Sequence, residues 1–322
     1  MRRLALRYFW DLRRMAQVDK NTGETFYRLL NPDSGAKLLL PRLEEIRITR
    51  WLRFGNAVRQ LRNVVFAAER YGVPVISLPP HPLLTGSQFG RLRIEWSGEA
   101  PARSLALDGL FFAHAPLRLY GALHNEPRLL VDYIRPMLSN LIAAADPRVG
   151  PEDLVLHFRA GDVFRDGGGS RQYGQPPLSY YLGAIERERP RRVWLVAEDR
   201  GNPCVDAVET SLHANGIDVV CQSASLEEDL RVVLSARRLV IGRGTFASTI
   251  ATLSSHLRKA YVFDEYPTLK RLGIHVVRGR DLRGDFDRAL LRDNWRASDE
   301  QVAMLLSYPR EAVGFVDMPS NW

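Results

Sequence analysis

Residues 153–162 read DLVLHFRAGD, a short apolar run that ends in charged and small residues. Four further apolar runs follow it along the chain: RVWLVA at 192–197, IDVVC at 217–221, RLVIG at 238–242 and KAYVF at 259–263. They alternate with stretches of helical spacing, and such near-continuous apolar runs are typical of strands buried on both faces of a parallel sheet. The second half of the chain is therefore predicted to form a doubly wound, Rossmann-like domain.

The first half of the chain is less regular, but one segment in it is clear. GNAVRQLRNVVFAAERYG, which starts at Gly55, carries apolar residues at helical spacing from Val58 to Ala68, and the following VPVISLP reads as a buried strand. A second helix is predicted over residues 128–145. The Pro- and Gly-rich stretch that follows is the predicted boundary between two domains, residues 1–150 and 151–322.

The composition is that of an ordinary globular protein. The chain has 322 residues, of which 45% are hydrophobic and 25% charged, which is enough for two domains. It has 45 Lys and Arg against 37 Asp and Glu, so its net charge of +8 favours anionic partners. The basic residues are scattered and form no aromatic-interleaved stripe, so nucleic acid is not an expected partner.

Three features of the sequence predict a cytoplasmic protein. The two cysteines, Cys204 and Cys221, are too few for a disulfide framework. The opening MRRLALRYFWDLRRM lacks the small-residue cleavage site of a secretory signal. No run of 18 apolar residues occurs, so a transmembrane helix is not expected.

The same amino-terminal segment has the pattern of a basic amphipathic helix. Leu4, Tyr8, Leu12 and Met15 share one helical face, with arginines around them. Such a helix can rest on an anionic membrane surface. The alternative is that its apolar face packs on its own domain.

The loops that follow the predicted strands carry the candidate chemistry, because ligands of open α/β sheets bind beyond the carboxyl ends of strands. The first of these loops holds His157, Arg159, Gly161 and Asp162. An arginine there offers a planar, permanently charged fork suited to a phosphate, and Asp162 can orient it or accept a proton. The alternative is a surface loop with an incidental ion pair.

A second anion-favouring loop, GRGTFAST, occupies residues 242–249 at the end of the fourth strand of this half. It reads as a Gly turn followed by a helix start. Backbone N–H groups there, beside the hydroxyls of Thr245, Ser248 and Thr249, form a phosphate cradle. The alternative is a Thr or Ser helix cap without a ligand.

Acidic residues lie in two other strand-end loops. Glu198 and Asp199 follow the second strand of this half, and Asp229 follows the third. They can hydrogen-bond a base or a ribose. Asp229 can equally be a first-turn helix residue, because Ser225 is a good cap with Glu228 three residues on.

Several familiar catalytic patterns are missing. The sequence contains no G-x-x-x-x-G-K-[ST] loop, no G-x-S-x-G, no H-E-x-x-H and no C-x-x-C, which disfavours P-loop NTPases and the usual hydrolase and zinc sites. Asp285 and Asp287 are spaced like the metal-binding acidic pair of some sugar transferases, but they stand at a predicted helix start, where acidic residues serve the helix dipole. No metal is therefore predicted.

Four segments together resemble the donor half of the fucosyltransferase superfamily, which comprises bacterial α1,2-fucosyltransferases, α1,6-fucosyltransferases and protein O-fucosyltransferases. They are HFRAGD, PPLSYYLGAIE, VWLVAED and LEEDLRVVLSARRLVIGRGTFAS, in that order. The shared pattern is a strand ending in His-x-Arg-x-Gly-Asp, and later a Thr/Ser-Phe segment preceded by a helix that carries an Asp. RFGNAVRQLRNVVFAAERYGVPV is similar to the family's opening Gly-Asn segment. The match spans residues 53–263, although residues 79–126 hold no recognised motif.

The resemblance implies a fold, a ligand and a set of binding residues. The fold is GT-B, an α/β architecture of two Rossmann-like doubly wound domains facing a cleft, with the acceptor bound by residues 1–150 and the GDP-sugar by residues 151–322. Arg159 would bind the diphosphate and Asp229 the guanine. Further contacts to the phosphates would come from Thr245, Phe246 and Ser248 and, from the first domain, Gly55 and Asn56.

The implied activity is inverting, metal-independent transfer of a sugar, fucose from GDP-fucose, to a glycan hydroxyl, with no permanently bound cofactor. The candidates for the general base are Asp162, Asp166 and His157. Two positions depart from the family pattern: Ala160, where the α1,2 enzymes carry a second arginine, and Arg243, where a small polar residue is common. The alternative function is a catalytically silent nucleotide- or glycan-binding protein on the same fold.

Overall fold

The computed structural model describes residues 44–86, 88–96, 106–111, 126–143, 146–165, 171–263, 267–292 and 294–318. Contacts divide the chain into two compact units, Met1–Asn140 and Leu141–Trp322. This division falls before residue 150, where the sequence places the domain boundary. The amino-terminal amphipathic helix predicted from the sequence lies outside the described residues, as does Asp166.

The described strands of the first unit are β1 (Glu45–Ile48), β2 (Val75–Leu78), β3 (Gln88–Phe89), β4 (Leu92–Trp96) and β5 (Ala106–Gly109). These five strands form one mostly parallel sheet in the order β3-β4-β2-β1-β5, and among them only the β3–β4 pair is antiparallel.

Helix α1 (Phe54–Tyr71) connects β1 to β2. Its apolar stripe is buried, with Leu61, Val64 and Val65 fully enclosed, and it ends at Gly72, whose φ of +70° is the left-handed conformation that favours glycine at this position. The predicted helix and the predicted strand after it are both confirmed.

The second predicted helix of this half is interrupted. Instead of one helix over 128–145, the chain forms short α-helical segments at Glu126–Leu129, Arg135–Met137 and Ser139–Ala143, with a π-helical turn at Leu130–Ile134. The physical reason is Pro136. A proline has no N–H to complete the helical hydrogen bond and its ring crowds the preceding turn, so the helix widens before it.

The described strands of the second unit are β6 (Leu154–Phe158), β7 (Arg192–Ala197), β8 (Asp218–Gln222), β9 (Arg238–Ile241), β10 (Lys259–Val262), β11 (His275–Asp281) and β12 (Val313–Met318). These seven strands form one sheet, and among them only the edge strand β12 runs antiparallel to its neighbour. All five apolar runs predicted as strands are confirmed.

The strand order β12-β11-β10-β9-β6-β7-β8 is the doubly wound order, with its switch point between β6 and β9. In the second unit, the described helices of eight or more residues are α2 (Leu178–Glu188), α3 (Cys204–Ala214), α4 (Leu226–Ser235), α5 (Thr245–Leu253) and α8 (Asp299–Ser307). Shorter helices are α6 (Pro267–Arg271) and α7 (Asp285–Leu290).

Helices cover both faces of this sheet. Helix α2 packs against α3, while α4 packs against α5, and the right-handed crossover rule places these two pairs on opposite faces. The strands between them are correspondingly apolar, and Leu156, Leu195 and Val240 are buried in the core. The predicted α/β class with Rossmann-like doubly wound sheets is confirmed. Among the residues described here, no helix combines the length and apolarity needed to cross a membrane.

Candidate functional site

The candidate site lies where β6 and β9 end, at the switch point of the second sheet. The two strands pair in parallel from Val155 and Leu239 onward, and the backbone N–H of Gly242 donates to the carbonyl of His157 at 3.0 Å. A Cβ at Gly242 would stand 2.8 Å from that carbonyl, so only glycine allows the two chains to approach this closely. The Arg159 loop and the Gly244 turn are thereby held side by side.

Arg159 is mostly enclosed at this point, with 18% of its side chain exposed. Its Nη2 donates to Oδ1 of Asp162 at 2.5 Å, and its Cζ lies 5.9 Å from the centroid of the Tyr173 ring. Asn202 Nδ2 donates to the Arg159 carbonyl at 2.9 Å. The buried Nε of Arg159 finds no hydrogen-bond partner among the described residues. Asp162 therefore orients the Arg159 guanidinium, and the Nε–H of that group makes no hydrogen bond to a described residue.

The start of α5 adjoins this arginine. The helix begins after Gly244, whose φ is +140°, and no side chain of the described residues caps its first turn. A Cβ at Gly244 would lie 3.8 Å from Cδ of Arg159. The uncapped N–H groups and the positive end of the helix dipole therefore lie beside a fixed positive charge, which is an arrangement suited to an anion.

The three predicted cradle residues hold different positions in this helix start. Thr245 is its first residue, and Phe246 packs on the neighbouring strand end. Ser248 is buried, and its hydroxyl donates to the carbonyl of Gly244 at 2.8 Å. Ser248 thus fixes the turn, and its oxygen lone pairs remain acceptors.

His157 is held as a neutral, buried ring. It is 7% exposed, and its ring stacks on Phe246 with centroids 5.2 Å apart. Burial, aided by the charge of Arg159, lowers the pKa of His157 to about 3. A group with so low a pKa is a weak proton acceptor at neutral pH, so this geometry favours a binding role over the role of general base. Its Nδ1 has no hydrogen-bond partner in the described part of the chain.

Gln175 braces the two sides of the site and was not anticipated from the sequence. This fully buried side chain donates from Nε2 to the carbonyl of Tyr173 at 2.8 Å and to the carbonyl of Arg243 at 3.2 Å. One acceptor is the main-chain carbonyl of Tyr173, whose ring lies beside Arg159, and the other is the carbonyl of Arg243, which directly precedes Gly244. Gln175 therefore sets the spacing between the arginine and the helix start.

The substitution Gln175→Met tests this brace. Methionine keeps the side-chain volume but removes the donor of two partly buried carbonyls, so we expect the affinity for inorganic pyrophosphate to fall about tenfold. Isothermal titration calorimetry measures it. Gln301→Met is the matched control, because Gln301 Nε2 also donates to two carbonyls, those of Ala289 and Asn294. Equal pyrophosphate affinities in the two variants would contradict the bracing role.

Asp199, predicted as a ligand-binding residue, is engaged by the backbone. Its Oδ1 accepts from the N–H of Gly161 at 3.1 Å and from the N–H of Gly201 at 2.8 Å, and its Oδ2 lies 3.6 Å from Arg165. These contacts hold the end of β7 against the Arg159 loop. Asp199 thus lies beside the Arg159 loop and its oxygens support that loop, and its contact with a ligand stays a prediction.

Asp229 stands at the start of α4, after β8. Its Oδ1 accepts from Gln222 Nε2 at 3.2 Å and from the N–H of Ala224 at 3.3 Å. The residue is 8% exposed, and burial raises the pKa of its carboxyl. The capping box predicted for Ser225 and Glu228 is also present. Asp229 is thus both a first-turn residue and a buried acceptor at the same edge of the sheet.

Gly55 and Asn56 lie in the first turn of α1, within the first unit. The backbone N–H of Asn56 donates to the carbonyl of Arg53 at 2.8 Å, while its Oδ1 is buried and has no hydrogen-bond partner in the described ranges. The helix start is formed as predicted. That these two residues reach a diphosphate held by the second unit stays a prediction.

The acidic pair Asp285 and Asp287 occupies the first turn of α7, the position expected from the sequence. Asp285 pairs with Arg288 at 3.0 Å, and the backbone N–H of Asp287 donates to Asp281. Within the described ranges, no group of three or more His, Cys, Asp or Glu side chains is arranged to hold a metal ion.

Comparison with known proteins gave structural likeness only. No family model matches the chain, and no curated protein matches it in sequence. POFUT1 in complex with GDP has a TM-score of 0.43 at 13% identity, over 68% of this chain and 98% of that one. A mutant of Arabidopsis thaliana FUT1 in complex with GDP has a TM-score of 0.47 at 9% identity, over 74% and 77%.

A third similar structure is the E. coli heptosyltransferase WaaC with ADP, with a TM-score of 0.33 at 10% identity, over 71% of this chain and 90% of that one. All three TM-scores are below 0.5.

Proposed function

We propose that the protein is a glycosyltransferase that uses a nucleotide-diphosphate sugar as donor. The observation that carries the proposal is the pairing of Arg159, enclosed and oriented by Asp162, with the uncapped start of α5 at the switch point. A fixed cation and a helix N-terminus that converge at one strand edge suit a diphosphate.

The same two groups serve the chemistry of transfer. When the bond between the sugar and the diphosphate breaks, negative charge grows on the departing phosphate oxygens. Arg159 and the α5 N–H groups are already in place to stabilise that charge, so no reorganisation is needed in the transition state.

We propose GDP-fucose as the donor and a glycan hydroxyl as the acceptor. The basis is the resemblance of the strand-end motifs, together with the buried carboxylate of Asp229, which matches the adjacent N–H donors of guanine. A thermal-shift screen with GDP-, UDP-, CDP- and dTDP-sugars tests the donor class, because a ligand stabilises the state that binds it. Stabilisation by UDP-sugars alone would reject the GDP assignment.

Inverting, metal-independent transfer completes the proposal. In this reaction Arg159 and the helix start supply the positive charge that a metal supplies elsewhere. Transfer measured in excess EDTA should proceed at an undiminished rate, and NMR of the product should show an inverted anomeric centre. Strict dependence on Mn²⁺ would contradict the metal-independent mechanism.

A catalytically silent binding protein is the second candidate, and the state of two of the three predicted bases favours it. Asp162 is engaged by Arg159, and burial lowers the pKa of His157 to about 3, so His157 is a weak proton acceptor at neutral pH. The third candidate, Asp166, lies outside the described residues. Slow hydrolysis of GDP-sugar without an acceptor distinguishes the two functions, because a pure binding protein shows none.

We also propose that the protein acts in the cytoplasm, with peripheral contact between its basic amino-terminal segment and an anionic membrane. Support comes from the arginine pattern of that segment alone. Co-sedimentation of the full chain and of a chain lacking residues 1–15 with phosphatidylserine vesicles tests the contact. Equal binding of both chains would contradict it.

A further inference from the structure

The sheet of the first unit carries an aromatic side chain at its carboxyl edge, outside the core. Trp51 follows β1 and is half-buried, whereas Phe54, at the start of α1, is enclosed. Strands β1 and β2 are parallel neighbours, so the segments that follow them emerge at the same edge. Open α/β sheets bind their ligands at this edge. The proposed donor site in the second unit makes no use of Trp51.

Trp51 is held in place through its side chain and through both of its neighbours in the chain. Its indole N–H donates to the carbonyl of Pro79, which follows β2, at 2.8 Å. The buried side chain of Gln60 accepts from the N–H of Leu52 at 2.9 Å and donates to the carbonyl of Arg50 at 3.1 Å. Because these hydrogen bonds fix both the loop and the ring, little conformational freedom is lost when a ligand packs on the indole.

His81 adds a directed hydrogen-bond donor beside this ring. The rings of Trp51 and His81 lie edge to face, with their planes at 89° and their centroids 5.7 Å apart. The Nδ1 of His81 accepts from the N–H of Leu83 at 3.1 Å, and burial lowers the pKa of His81. The ring is therefore neutral at pH 7 and carries its proton on Nε2. Within the described ranges this N–H makes no hydrogen bond, so it can donate to an oxygen of a ligand.

An aromatic face beside a neutral N–H donor is suited to a sugar ring. One face of a pyranose consists largely of C–H groups, which can pack on an indole, and the oxygens around the ring accept hydrogen bonds. A purely apolar partner, such as a hydrophobic protein surface, would leave the Nε2–H of His81 without an acceptor. The pair of residues therefore fits a carbohydrate better than an apolar protein surface.

We propose that Trp51 and His81 bind the acceptor glycan, with one pyranose ring packed on the indole and one of its oxygens accepting from Nε2 of His81. The assignment rests on the proposed function, because it requires that the acceptor is a glycan. Both residues bind and orient the acceptor. Neither takes the proton of the acceptor hydroxyl, since the indole has no basic nitrogen and both ring nitrogens of His81 are already committed.

Saturation-transfer NMR on the full chain tests the site, with the methyl β-glycosides of galactose, glucose and N-acetylglucosamine as probes. The unaltered protein should bind at least one of them, with the strongest saturation on the protons of one ring face. Trp51→Ala should weaken that binding at least about tenfold, the scale of a tryptophan at the centre of an interface. His81→Ala should weaken it about threefold to tenfold, the scale of one neutral hydrogen bond.

A pair of phenylalanine substitutions provides the matched control. Trp51→Phe keeps an aromatic ring but a smaller one, so it should retain part of the binding. Trp96, at the end of β4, is also a half-buried tryptophan of the first unit, and its indole N–H also donates to a carbonyl, that of Gly86. Trp96→Phe should bind the glycosides as the unaltered protein does.

Each outcome decides the assignment. Weaker glycoside binding in Trp51→Phe than in Trp96→Phe supports it, and this comparison also decides the question if Trp51→Ala does not fold. The assignment is overturned if the unaltered protein binds none of the three glycosides, if Trp51→Ala binds them equally well, or if both phenylalanine variants lose binding to the same extent.

Calorimetry with GDP on the same proteins separates this assignment from the proposed function. Retained GDP binding in Trp51→Ala, together with lost glycoside binding, supports an acceptor subsite that is distinct from the donor site. Retained GDP binding in an unaltered protein that binds no glycoside overturns the acceptor subsite alone. Failure of the unaltered protein to bind GDP overturns the GDP-dependent function and, with it, the acceptor role of a glycoside site.

Discussion

Replacing Arg159 with alanine is expected to remove measurable GDP binding and to lower the rate of sugar transfer by about 10²- to 10³-fold, the usual cost of losing a donor that stabilises charge in the transition state. The reason is geometric. Arg159 is the cation that lies against the α5 start, held there by Asp162 and the Tyr173 ring. Calorimetry with GDP and initial-rate measurements with GDP-fucose measure the two effects.

Two companion variants separate charge from structure. Arg159→Lys keeps the positive charge but loses the planar fork, so we expect it to bind GDP more weakly than the unaltered protein and more tightly than Arg159→Ala. Arg231→Ala removes a half-buried arginine of α4 that pairs with Glu227, and it should leave binding and rate unchanged. Unchanged turnover in Arg159→Ala would remove this residue from the mechanism.

Substituting Asp229 with asparagine is expected to weaken GDP binding about 100-fold and to leave the much weaker binding of ADP unchanged, because two hydrogen bonds to a charged acceptor are lost. Asparagine retains an oxygen for Gln222 and Ala224, so the local fold is kept. Competition titrations with GDP and ADP measure the change in preference. Glu227→Gln is the control, since Glu227 is exposed on the same helix turn.

The pH dependence of binding provides a second measurement on Asp229. Burial raises the pKa of this carboxyl, and guanine requires the ionised form, so GDP affinity should fall as the pH drops through that raised value.

The stability of the ligand-free protein should change in the opposite sense. Because the folded state holds the proton more tightly than the unfolded state, ionisation of Asp229 lowers stability as the pH rises through the same interval. Asp229→Asn should show neither change at this position. A GDP affinity in this variant that still falls over the same interval would assign the titration to another group.

The sheet of the second unit was largely predictable because its central strands are buried on both faces. The five strands from β6 to β10 are recognisable in the sequence as near-continuous apolar runs, whereas β11 and β12 are not. Their sequences, HVVRGRD and VGFVDM, mix apolar with polar residues because these strands lie toward and at the edge of the sheet. In the first half, Pro136 interrupts a helix whose apolar pattern continues on both sides.

The candidate site was predictable in outline for a related reason. Residues that directly follow a strand, such as Arg159 and Thr245, are brought to one edge by the parallel topology itself. Gln175 was not predictable, because it acts through carbonyls 2 and 68 positions away in the chain. Spacing along the sequence also does not determine which of the adjacent carboxylates, Glu198 or Asp199, accepts from the Gly161 N–H; in the structure it is Asp199.

The contact between Gly242 and the carbonyl of His157 has a consequence for how this protein can change over evolutionary time. The two loops of the site are joined there by main-chain atoms and are braced by Gln175, so their separation does not depend on the side chains of the outer rim. Substitutions on the outer rim of the strand edge can therefore alter which nucleotide or sugar is recognised while the place of recognition stays fixed. The specificity for the nucleotide or the sugar can therefore change, while the main-chain contact between Gly242 and His157 keeps the site in place.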